Sequence, residues 1–378
     1  MPENLSWVEI DSEAFKNNLS KFREIIGPQV LLMPIIKSNA YGHGILEIAA
    51  LASDFGVDYL GVVNGTEALL IRSKSIKTPV LVLSYYAKNQ IEELLRENID
   101  LVVYDIDTAK EISDIAAKIN IVAKVHIKID TGTSRLGILV QDAVEFIESC
   151  SKLSMVQIVG VFTHFADSEN SDWTFTDGQI EKFRDLLFSL QRSNIKIPIP
   201  HAACSAATII SANSHFNMVR VGISIYGLWP SQKNKQIVQK KYPDFDIKPV
   251  LSWKAKIIQI KNLPKGTPIG YGCSYKLKKD STIAVIPIGY NEGYSRMLSS
   301  KGIVLVNGKK CPVIGKICMN LTIIDVSVCE SVTVGDEVVI IGRQGKYEIT
   351  ADQIAEQTKT INYEVVTRIN PLIPRIII

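Results

Sequence analysis

The stretch that decides the fold is MPIIKSNAYGHG, residues 33–44. An apolar run that starts at Val30 passes directly into Lys37, and the chain then becomes small and polar, with a glycine on each side of His43. The pattern predicts a buried strand over 30–37 that ends in a charge. Burying an ammonium group costs several kcal/mol unless the group is paired, neutralised or covalently bound. Lys37 is therefore either a strand end whose ammonium reaches water or a functional group.

The composition is that of a large globular enzyme. Of 378 residues, 46% are hydrophobic and 21% charged, with a net charge of +3, so the chain can bury a sizeable core and shows no preference for nucleic acid or a membrane surface. The cysteines form no CxxC pair, and we expect no metal site. No signal peptide and no apolar run of about 20 residues is visible, which predicts a cytoplasmic protein.

Apolar runs alternate with amphipathic helical patterns over residues 11–235. Eight candidate strands can be counted there: 30–37, 59–64, 79–85, 100–104, 124–130, 158–165, 197–205 and 218–226. This spacing favours an N-terminal (β/α)8 TIM-like barrel over an open doubly wound sheet. The absence of a GxGxxG motif at the start of a helix also argues against a dinucleotide-binding sheet.

A second, mostly β unit is predicted over residues 236–378, together with an N-terminal strand at 1–10. The sequence pattern changes near Trp229. Residues 230–245 are polar and lysine-rich, which predicts a linker. Short alternating runs with frequent turn signals follow. Asn307-Gly308 between two apolar runs predicts a β-hairpin.

In a barrel of this type, chemistry is located where strands end and βα-loops begin. Polar side chains at or near the predicted strand ends are Lys37, Lys128, Asp130, Arg135, His164, His201, Ser205 and Arg220. Such a set is unlike a packed core. The hydroxyl of Ser205 and the backbone N–H groups of Gly222 and Ile223 suit a phosphate group. A phosphate site together with a lysine on the first strand indicates pyridoxal 5'-phosphate, whose aldehyde a lysine can bind covalently.

Several motifs extend this interpretation over the whole chain. In order, they are PIIKSNAYGHG, HIKIDTGTSRLGI, THFADSEN, HAACSAA, RVGISIYG, IGYGCSY, GKICMN and INYEV. The sequence closely resembles the alanine racemase family. The resemblance implies a pyridoxal-phosphate enzyme that interconverts L- and D-alanine and supplies D-alanine for peptidoglycan. It also implies a head-to-tail homodimer with shared active sites.

The resemblance assigns the catalytic positions. Lys37 matches the lysine that binds the cofactor and serves one face of the substrate, and Tyr271 matches the tyrosine that serves the other face from the partner chain. His164 matches the histidine bonded to that tyrosine, and Arg220 matches the arginine that faces the pyridine nitrogen. The positions that match phosphate contacts are Tyr41, Ser205, Gly222, Ile223 and Tyr363.

Other positions match substrate contacts and the access channel. Arg135 and Met319 match residues near the substrate carboxylate, and Lys128 matches a lysine that is carbamylated in many members. Tyr290 and Ile361, with Tyr363, match residues that narrow the channel.

The sequence departs from the family pattern at Asn320, where an aspartate is usual, and at Lys316, where an arginine is common. Both changes bear on substrate preference, so a serine racemase or a racemase of broader specificity is an alternative. A decarboxylase of the same fold would lack the Gly-Tyr-Gly segment, and a non-catalytic cofactor-carrier barrel would lack the C-terminal unit.

Overall fold

The computed structural model describes residues 4–378, so residues 1–3 of the predicted N-terminal strand lie outside the described range. The chain forms two compact units. The first, called the barrel unit, consists of Glu13–Ser38 and Ile48–Lys248. The second, called the β unit, contains the residues up to Ser12, the segment Asn39–Glu47 and Pro249–Ile378.

The barrel unit is built on eight parallel strands. In sheet order they are Leu31–Pro34, Met218–Val221, Ile199–His201, Val156–Phe162, Ala123–Asp130, Ile99–Val103, Val80–Tyr85 and Leu60–Asn64. A parallel bridge between Ile35 and Gly61 links the first and last strands of this path. The predicted (β/α)8 barrel is therefore confirmed. A short strand, Ile138–Leu139, adds to the edge of Ala123–Asp130.

Helices precede, connect and follow these strands, and those in the links agree with the sequence pattern. They are Ser12–Ile26, Ile45–Phe55, Gly65–Arg72, Ile91–Arg96, Ile106–Ile119, Ala143–Ser151, Thr174–Arg192, Ser205–Ile210 and Gln232–Lys241. In the first of them, apolar residues at helical spacing form the buried face. Among residues 4–378, no helix is long and apolar enough to cross a membrane.

The strand Ala123–Asp130 carries polar side chains into the barrel. Its odd-numbered residues 125, 127 and 129 are apolar and buried, whereas its even-numbered residues are Lys124, His126, Lys128 and Asp130. Successive side chains of a barrel strand face alternately the interior and the surrounding helices. The barrel interior is therefore polar along this strand, where bulky aliphatic residues are the usual filling.

The first strand ends earlier than predicted, at Pro34, so Lys37 is not its last residue. Lys37 instead begins the turn Lys37–Tyr41, in which the residues from Ser38 to Tyr41 have φ between 52° and 54°. This is a left-handed helical turn made of four consecutive non-glycine residues. Such a conformation costs roughly 1–2 kcal/mol per residue, so the surrounding structure has to impose it.

The predicted linker at 230–245 is wrong, because this segment contains the helix Gln232–Lys241, which starts with Ser231 as its N-cap. Val238 is buried, and Nζ of Lys241 donates to the carbonyl of Ile210 at 2.8 Å. The side chain of Asn18 bonds both the N–H and the carbonyl of Lys248, each at 2.8 Å. The contacts therefore extend the barrel unit to Lys248, beyond the boundary at 235 expected from the sequence.

The β unit contains one large sheet and two smaller ones. The large sheet has the order Lys309–Pro312, Ile303–Val306, Glu337–Gln344, Leu251–Lys256, Ser6–Ile10 and Arg375–Ile377, with Tyr347–Ile349 beside Glu337–Gln344. The smaller sheets consist of Gln259–Leu263, Ser281–Ile286 and Thr322–Asp325, and of Pro268–Ile269 and Tyr275–Lys276. Two helices, Ala351–Thr358 and Asn362–Thr367, complete the unit. The predicted mostly β architecture is confirmed.

The hairpin predicted at Asn307-Gly308 is also confirmed. Val306 pairs with Lys309, and both turn residues have positive φ, 46° at Asn307 and 67° at Gly308. Positive φ at both central residues is typical of a type I′ turn, which asparagine and glycine adopt at low cost.

Candidate active site

Lys37 lies just beyond the first barrel strand, and the carboxylate of Glu67 holds the backbone beside it. One Glu67 oxygen accepts from the N–H of Ser38 at 2.6 Å and the other from the N–H of Val63 at 3.0 Å. Burial lowers the pKa of Lys37, the charge of Arg135 lowers it further, and Glu67 partly opposes this. A lysine with a lowered pKa is more often a neutral amine, the form that acts as nucleophile or base.

The left-handed turn is held in place by residues of the β unit. Nδ1 of His43 lies 3.1 Å from the carbonyl oxygens of Ala40 and Tyr41, and burial lowers the pKa of His43 to about 3. The guanidinium of Arg375 donates to the carbonyl of Gly42 at 2.8 Å. Gly42 has a φ of +84°, and a Cβ there would lie 2.0 Å from a backbone oxygen, so only glycine fits.

Tyr41, at the end of this turn, is buried next to Tyr363. Their ring centroids are 6.1 Å apart, with an angle of 51° between the planes. The structure thus brings together two residues that the sequence resemblance matches to phosphate contacts.

Several cations converge at the mouth of the barrel. Nζ of Lys128 lies 5.3 Å from the ring centroid of Phe162 and 3.5 Å from the carbonyl of Leu83. Burial lowers the pKa of Lys128 to about 8, and the charges of Arg220, Arg135 and Lys37 add to the effect in that order. A cluster of this kind favours an anionic ligand or an anionic modification of one of its own members.

The backbone of Arg135 is positioned by Asp130 at the end of the strand Ala123–Asp130. The Asp130 carboxylate accepts from the N–H groups of Gly132 at 2.9 Å, Thr133 at 2.8 Å, and Ser134 and Arg135 at 3.2 Å. Burial raises the pKa of Asp130, but the backbone donors outweigh burial and lower it. The loop therefore has a fixed path, and the Arg135 side chain is exposed at its end.

Arg220 is buried, and its contacts define the protonation of His164. Its NH2 group donates to the carbonyls of Thr163 at 2.6 Å and Ala202 at 2.7 Å, and it lies 3.3 Å from Nδ1 of His164. Arginine has no acceptor, so Nδ1 of His164 has to accept and the ring proton stays on Nε2. Burial, followed by the charge of Arg220, lowers the pKa of His164 well below its usual value. His164 is therefore a neutral donor through Nε2.

Behind Arg220, a polar chain continues into the barrel interior. NH1 of Arg220 donates to Nδ1 of His201 at 3.0 Å, and Nε2 of His201 lies 3.0 Å from Nδ1 of His126. Nε2 of His126 lies 3.4 Å from Oδ2 of Asp100. The sequence analysis named His201 but missed His126 and Asp100. The polar, even-numbered face of residues 124–130 could have indicated His126.

The predicted phosphate-binding residues also meet in the barrel unit. The N–H of Gly222 donates to Oγ of Ser205 at 2.9 Å. Ser205 begins one helix and Ile223 begins a short 3₁₀ turn. The first N–H groups of a helix have no intrahelical acceptor, so they can bind phosphate oxygens.

The remaining candidates lie in the β unit and are exposed. Tyr271 is 72% exposed in a turn between Gly270 and Gly272, whose φ values are +68° and +72°. Tyr290, Met319 and Ile361 are also large, exposed and apolar. Lys316 and Asn320 stand close to Met319 in sequence.

The loops that carry Tyr290 and Met319 are joined by hydrogen bonds. The N–H of Tyr290 donates to the carbonyl of Cys318 at 3.1 Å. Nδ2 of Asn320 donates to one carboxylate oxygen of Glu292 at 2.8 Å, and the other oxygen accepts from the N–H of Gly289 at 2.8 Å. Glu292, which the sequence analysis missed, is therefore the partner of the unusual Asn320.

Comparisons with known proteins agree with this architecture. Sequence models described as "Alanine racemase, N-terminal domain" and "Alanine racemase, C-terminal domain" match residues 10–230 and 250–377. An alanine racemase of Methanococcus maripaludis is 42% identical over 371 residues, which cover 98% of each chain. The structure of the alanine racemase of Clostridium difficile 630 is 32% identical and has a TM-score of 0.94, with 100% of this chain and 97% of that chain covered. A histidine racemase from Leuconostoc mesenteroides is 27% identical, with a TM-score of 0.90 over 100% of this chain and 99% of that one.

The fold and the barrel mouth define a lysine-bearing (β/α)8 enzyme with a C-terminal β domain. The matched domains and relatives show which one: the chain belongs to the alanine racemase family.

Proposed function

We propose that this protein is a pyridoxal-phosphate-dependent alanine racemase that interconverts L- and D-alanine by two bases and supplies D-alanine for peptidoglycan in the cytoplasm. The observation that carries the proposal is the environment of Lys37. Its pKa is lowered by burial and by a neighbouring arginine, and it stands on a strained turn at the mouth of a barrel. Perturbed groups on strained backbone are typical of catalytic sites.

The residues present fit the cofactor. Ser205, Gly222 and Ile223 would hold its phosphate, with Tyr41 and Tyr363, and Lys37 would bind its aldehyde. When bound, pyridoxal phosphate supplies covalent attachment of the amino acid and accepts electron density as the Cα–H bond breaks.

Arg220 would face the pyridine nitrogen as a donor. Because guanidinium stays protonated, Arg220 can donate to a bare ring nitrogen but cannot accept a proton from it. The carbonyls of Thr163 and Ala202 and the ring of His201 fix the guanidinium in this role. A carboxylate at this position would instead favour a protonated ring, which suits decarboxylation better. The presence of Arg220 therefore argues against a decarboxylase.

Two bases are needed because the proton leaves one face of Cα and returns to the other. Lys37 would hold or deliver the proton on the face of D-alanine. Tyr271 would do so on the face of L-alanine. A free tyrosine has a pKa near 10, and the Nε2–H of neutral His164 would stabilise the phenolate by donating to it.

Tyr271 would come from a second copy of the chain. Its side chain is exposed, and so are those of Tyr290, Met319 and Ile361. Large exposed apolar side chains of this kind mark interaction surfaces. We propose a head-to-tail homodimer in which these exposed side chains cover the barrel mouth of the partner and narrow its access channel.

Arg135 and the backbone N–H of Met319 would bind the substrate carboxylate. Lys128 would be carbamylated: its neutral amine attacks carbon dioxide, a C–N bond forms, and the lost proton leaves a carbamate anion. A pKa near 8 gives the amine form that this reaction needs. The anion would also offset the charges of Arg220 and Arg135.

The experiment is racemisation in deuterium oxide. The purified protein loaded with pyridoxal phosphate should convert L-alanine into D-alanine labelled at Cα, and the reverse reaction should also label the product. Lys37→Met should lose both the activity and the cofactor absorbance that survives gel filtration. Lys124→Met, on the strand Ala123–Asp130, should keep both. Absence of D-alanine and of label would refute the proposal.

A racemase with a broader range of substrates is the alternative hypothesis. One structural neighbour is named a histidine racemase, and Lys316 and Asn320 depart from the usual pattern. A panel of L-alanine, L-serine and L-histidine, with carbon dioxide release monitored, separates an alanine racemase from a broader racemase and from a decarboxylase.

A further inference from the structure

A buried arginine needs a counter-charge, and within residues 4–378 no carboxylate forms a hydrogen bond or an ion pair with Arg220. Its side-chain contacts are two carbonyl oxygens and the Nδ1 atoms of His164 and His201. Uncompensated buried charge is costly. The chain of contacts through His201 and His126 reaches Asp100, whose exposed fraction is 3%.

The directions of the two hydrogen bonds that join Arg220 to His201 and His201 to His126 follow from the guanidinium at one end. Arg220 only donates, so Nδ1 of His201 accepts and Nε2 of His201 carries the proton. That proton points to Nδ1 of His126, which therefore accepts and leaves the His126 proton on Nε2. Nε2 of His126 is buried and makes no hydrogen bond among the described residues, and Oδ2 of Asp100 lies 3.4 Å from it, at ion-pair distance.

No second proton fits between Arg220 and Asp100. Protonating His201 would place an N–H against the guanidinium, and protonating His126 would place an N–H against the N–H of His201. Burial, followed by the charge of Arg220, lowers the pKa of His201 well below its usual value, in agreement with a neutral ring. Phe162 stacks on the His201 ring at a centroid distance of 4.8 Å and an angle of 12°, which fixes its orientation.

We propose that Asp100 is the counter-ion of Arg220, and that His126 and His201 connect the two as neutral, Nε2-protonated imidazoles. Asp100 and His126 are then positioning residues, because they hold the guanidinium that donates to the cofactor nitrogen without touching substrate. Their catalytic consequence rests on the function proposed above, whereas the proton arrangement does not.

Two other side chains interact with Asp100. The hydroxyl of Tyr59 donates to Oδ2 of Asp100 at 3.1 Å. Burial lowers the pKa of Arg72, and the charge of Asp100 partly opposes this effect. The side chain of Arg72 bonds the carbonyls of Ile76, Thr78, Glu97 and Asn98. Tyr59 therefore provides the matched control, because it bonds the same carboxylate but lies outside the path to Arg220.

The first measurement reads the protons directly. The chain contains 5 histidines, so ¹⁵N-histidine labelling gives a spectrum that single variants can assign. In the holoenzyme at neutral pH, His126 and His201 should both be neutral with the proton on Nε2. An Nδ1–H tautomer or a doubly protonated ring at either position would overturn the proposal, whether or not the protein racemises alanine.

The second measurement separates charge from shape. Asp100→Asn keeps an acceptor for His126 but removes the charge, so kcat should fall about tenfold or more, while KM changes little and the Nε2–H signal of His126 shifts. Tyr59→Phe should stay within about twofold of the wild type, since it leaves the charge in place. Equal losses in the two variants, or full activity in Asp100→Asn, would contradict the role of the charge. If Asp100→Asn does not fold, the tautomers of His126 and His201 in the wild type still decide.

Discussion

Gly160 leaves the space that the His126 ring occupies: a Cβ at position 160 would lie 2.2 Å from Nδ1 of His126. Gly160 lies in the strand Val156–Phe162 and pairs with His126 across the sheet. The imidazole that connects Arg220 to Asp100 therefore depends on a missing side chain on the neighbouring strand.

Gly160→Ala should displace His126 and break the chain to Asp100. We expect a loss of about 1–3 kcal/mol in the free energy of unfolding, as for other overpacked cores. We also expect kcat to fall. Urea unfolding and steady-state kinetics measure the two effects. Retention of full stability and full kcat would show that the ring does not need this space.

Gly178→Ala is the control for that substitution. Gly178 lies within the helix Thr174–Arg192, and a Cβ there meets no atom within 4 Å. Because alanine is the better helix former, this variant should be as stable as the wild type or more stable by about 0.5–1 kcal/mol.

Lys128 should make the stability of the cofactor-free protein depend on pH. The pKa of Lys128 is about 8 in the folded protein, against an ordinary value of 10.5. Between these values the unfolded chain binds more protons than the folded one, so the free energy of unfolding rises with pH. Relative to Lys128→Met, the wild type should gain up to about 3 kcal/mol across this window.

The measurement is urea unfolding of both proteins at about pH 7 and about pH 10, in buffer free of carbon dioxide. Lys37 is present in both proteins, so its own lowered pKa cancels in the comparison. Parallel stability curves for the wild type and Lys128→Met would show that folding does not lower the pKa of Lys128.

Tyr271→Phe should affect chemistry and not folding. The side chain is 72% exposed in a single chain, so the melting temperature and the cofactor absorbance should stay unchanged. Removing an acid/base hydroxyl should lower L-to-D turnover by about 100-fold or more. Tyr85→Phe, at another exposed tyrosine, should change neither property. Loss of cofactor in Tyr271→Phe would refute the role of this residue.

Asn320→Asp should weaken the link between the loops that carry Tyr290 and Met319. The new carboxylate would lie where Nδ2 of Asn320 is now 2.8 Å from Glu292, and like charges there should cost about 1 kcal/mol in this exposed setting. KM for alanine should also rise, because these loops carry residues proposed to contact the substrate and its channel.

Adding Glu292→Gln to Asn320→Asp should restore both quantities, because a glutamine amide can donate to the new carboxylate. A double-mutant cycle gives the coupling between positions 292 and 320. Additive effects would indicate that the two side chains act independently.

Much of the fold could be predicted because local periodicity encodes it. The predicted alternation of eight strands with helices agrees with the structure, since each element has to bury one apolar face. Residues 230–245 were misread because Val238 gives a helix only a small apolar face, and charged neighbours conceal it.

The sequence determined the chemistry that is available. The lysine motif at 33–44, the arginines and histidines near the strand ends and the Gly-Tyr-Gly segment name the groups that can attach a cofactor and move a proton. The roles of Lys37, Tyr271 and their neighbours remain predictions that the variants above test.

Only the tertiary structure decided how these groups are protonated and held. The left-handed turn after Lys37 depends on Arg375 and His43, which no local pattern connects. The tautomers of His126 and His201 depend on Arg220 at one end and Asp100 at the other, residues that are distant in sequence and adjacent inside the barrel. The physical reason is that hydrogen-bond direction and burial are properties of contacts, and the chain forms these contacts only when the barrel closes.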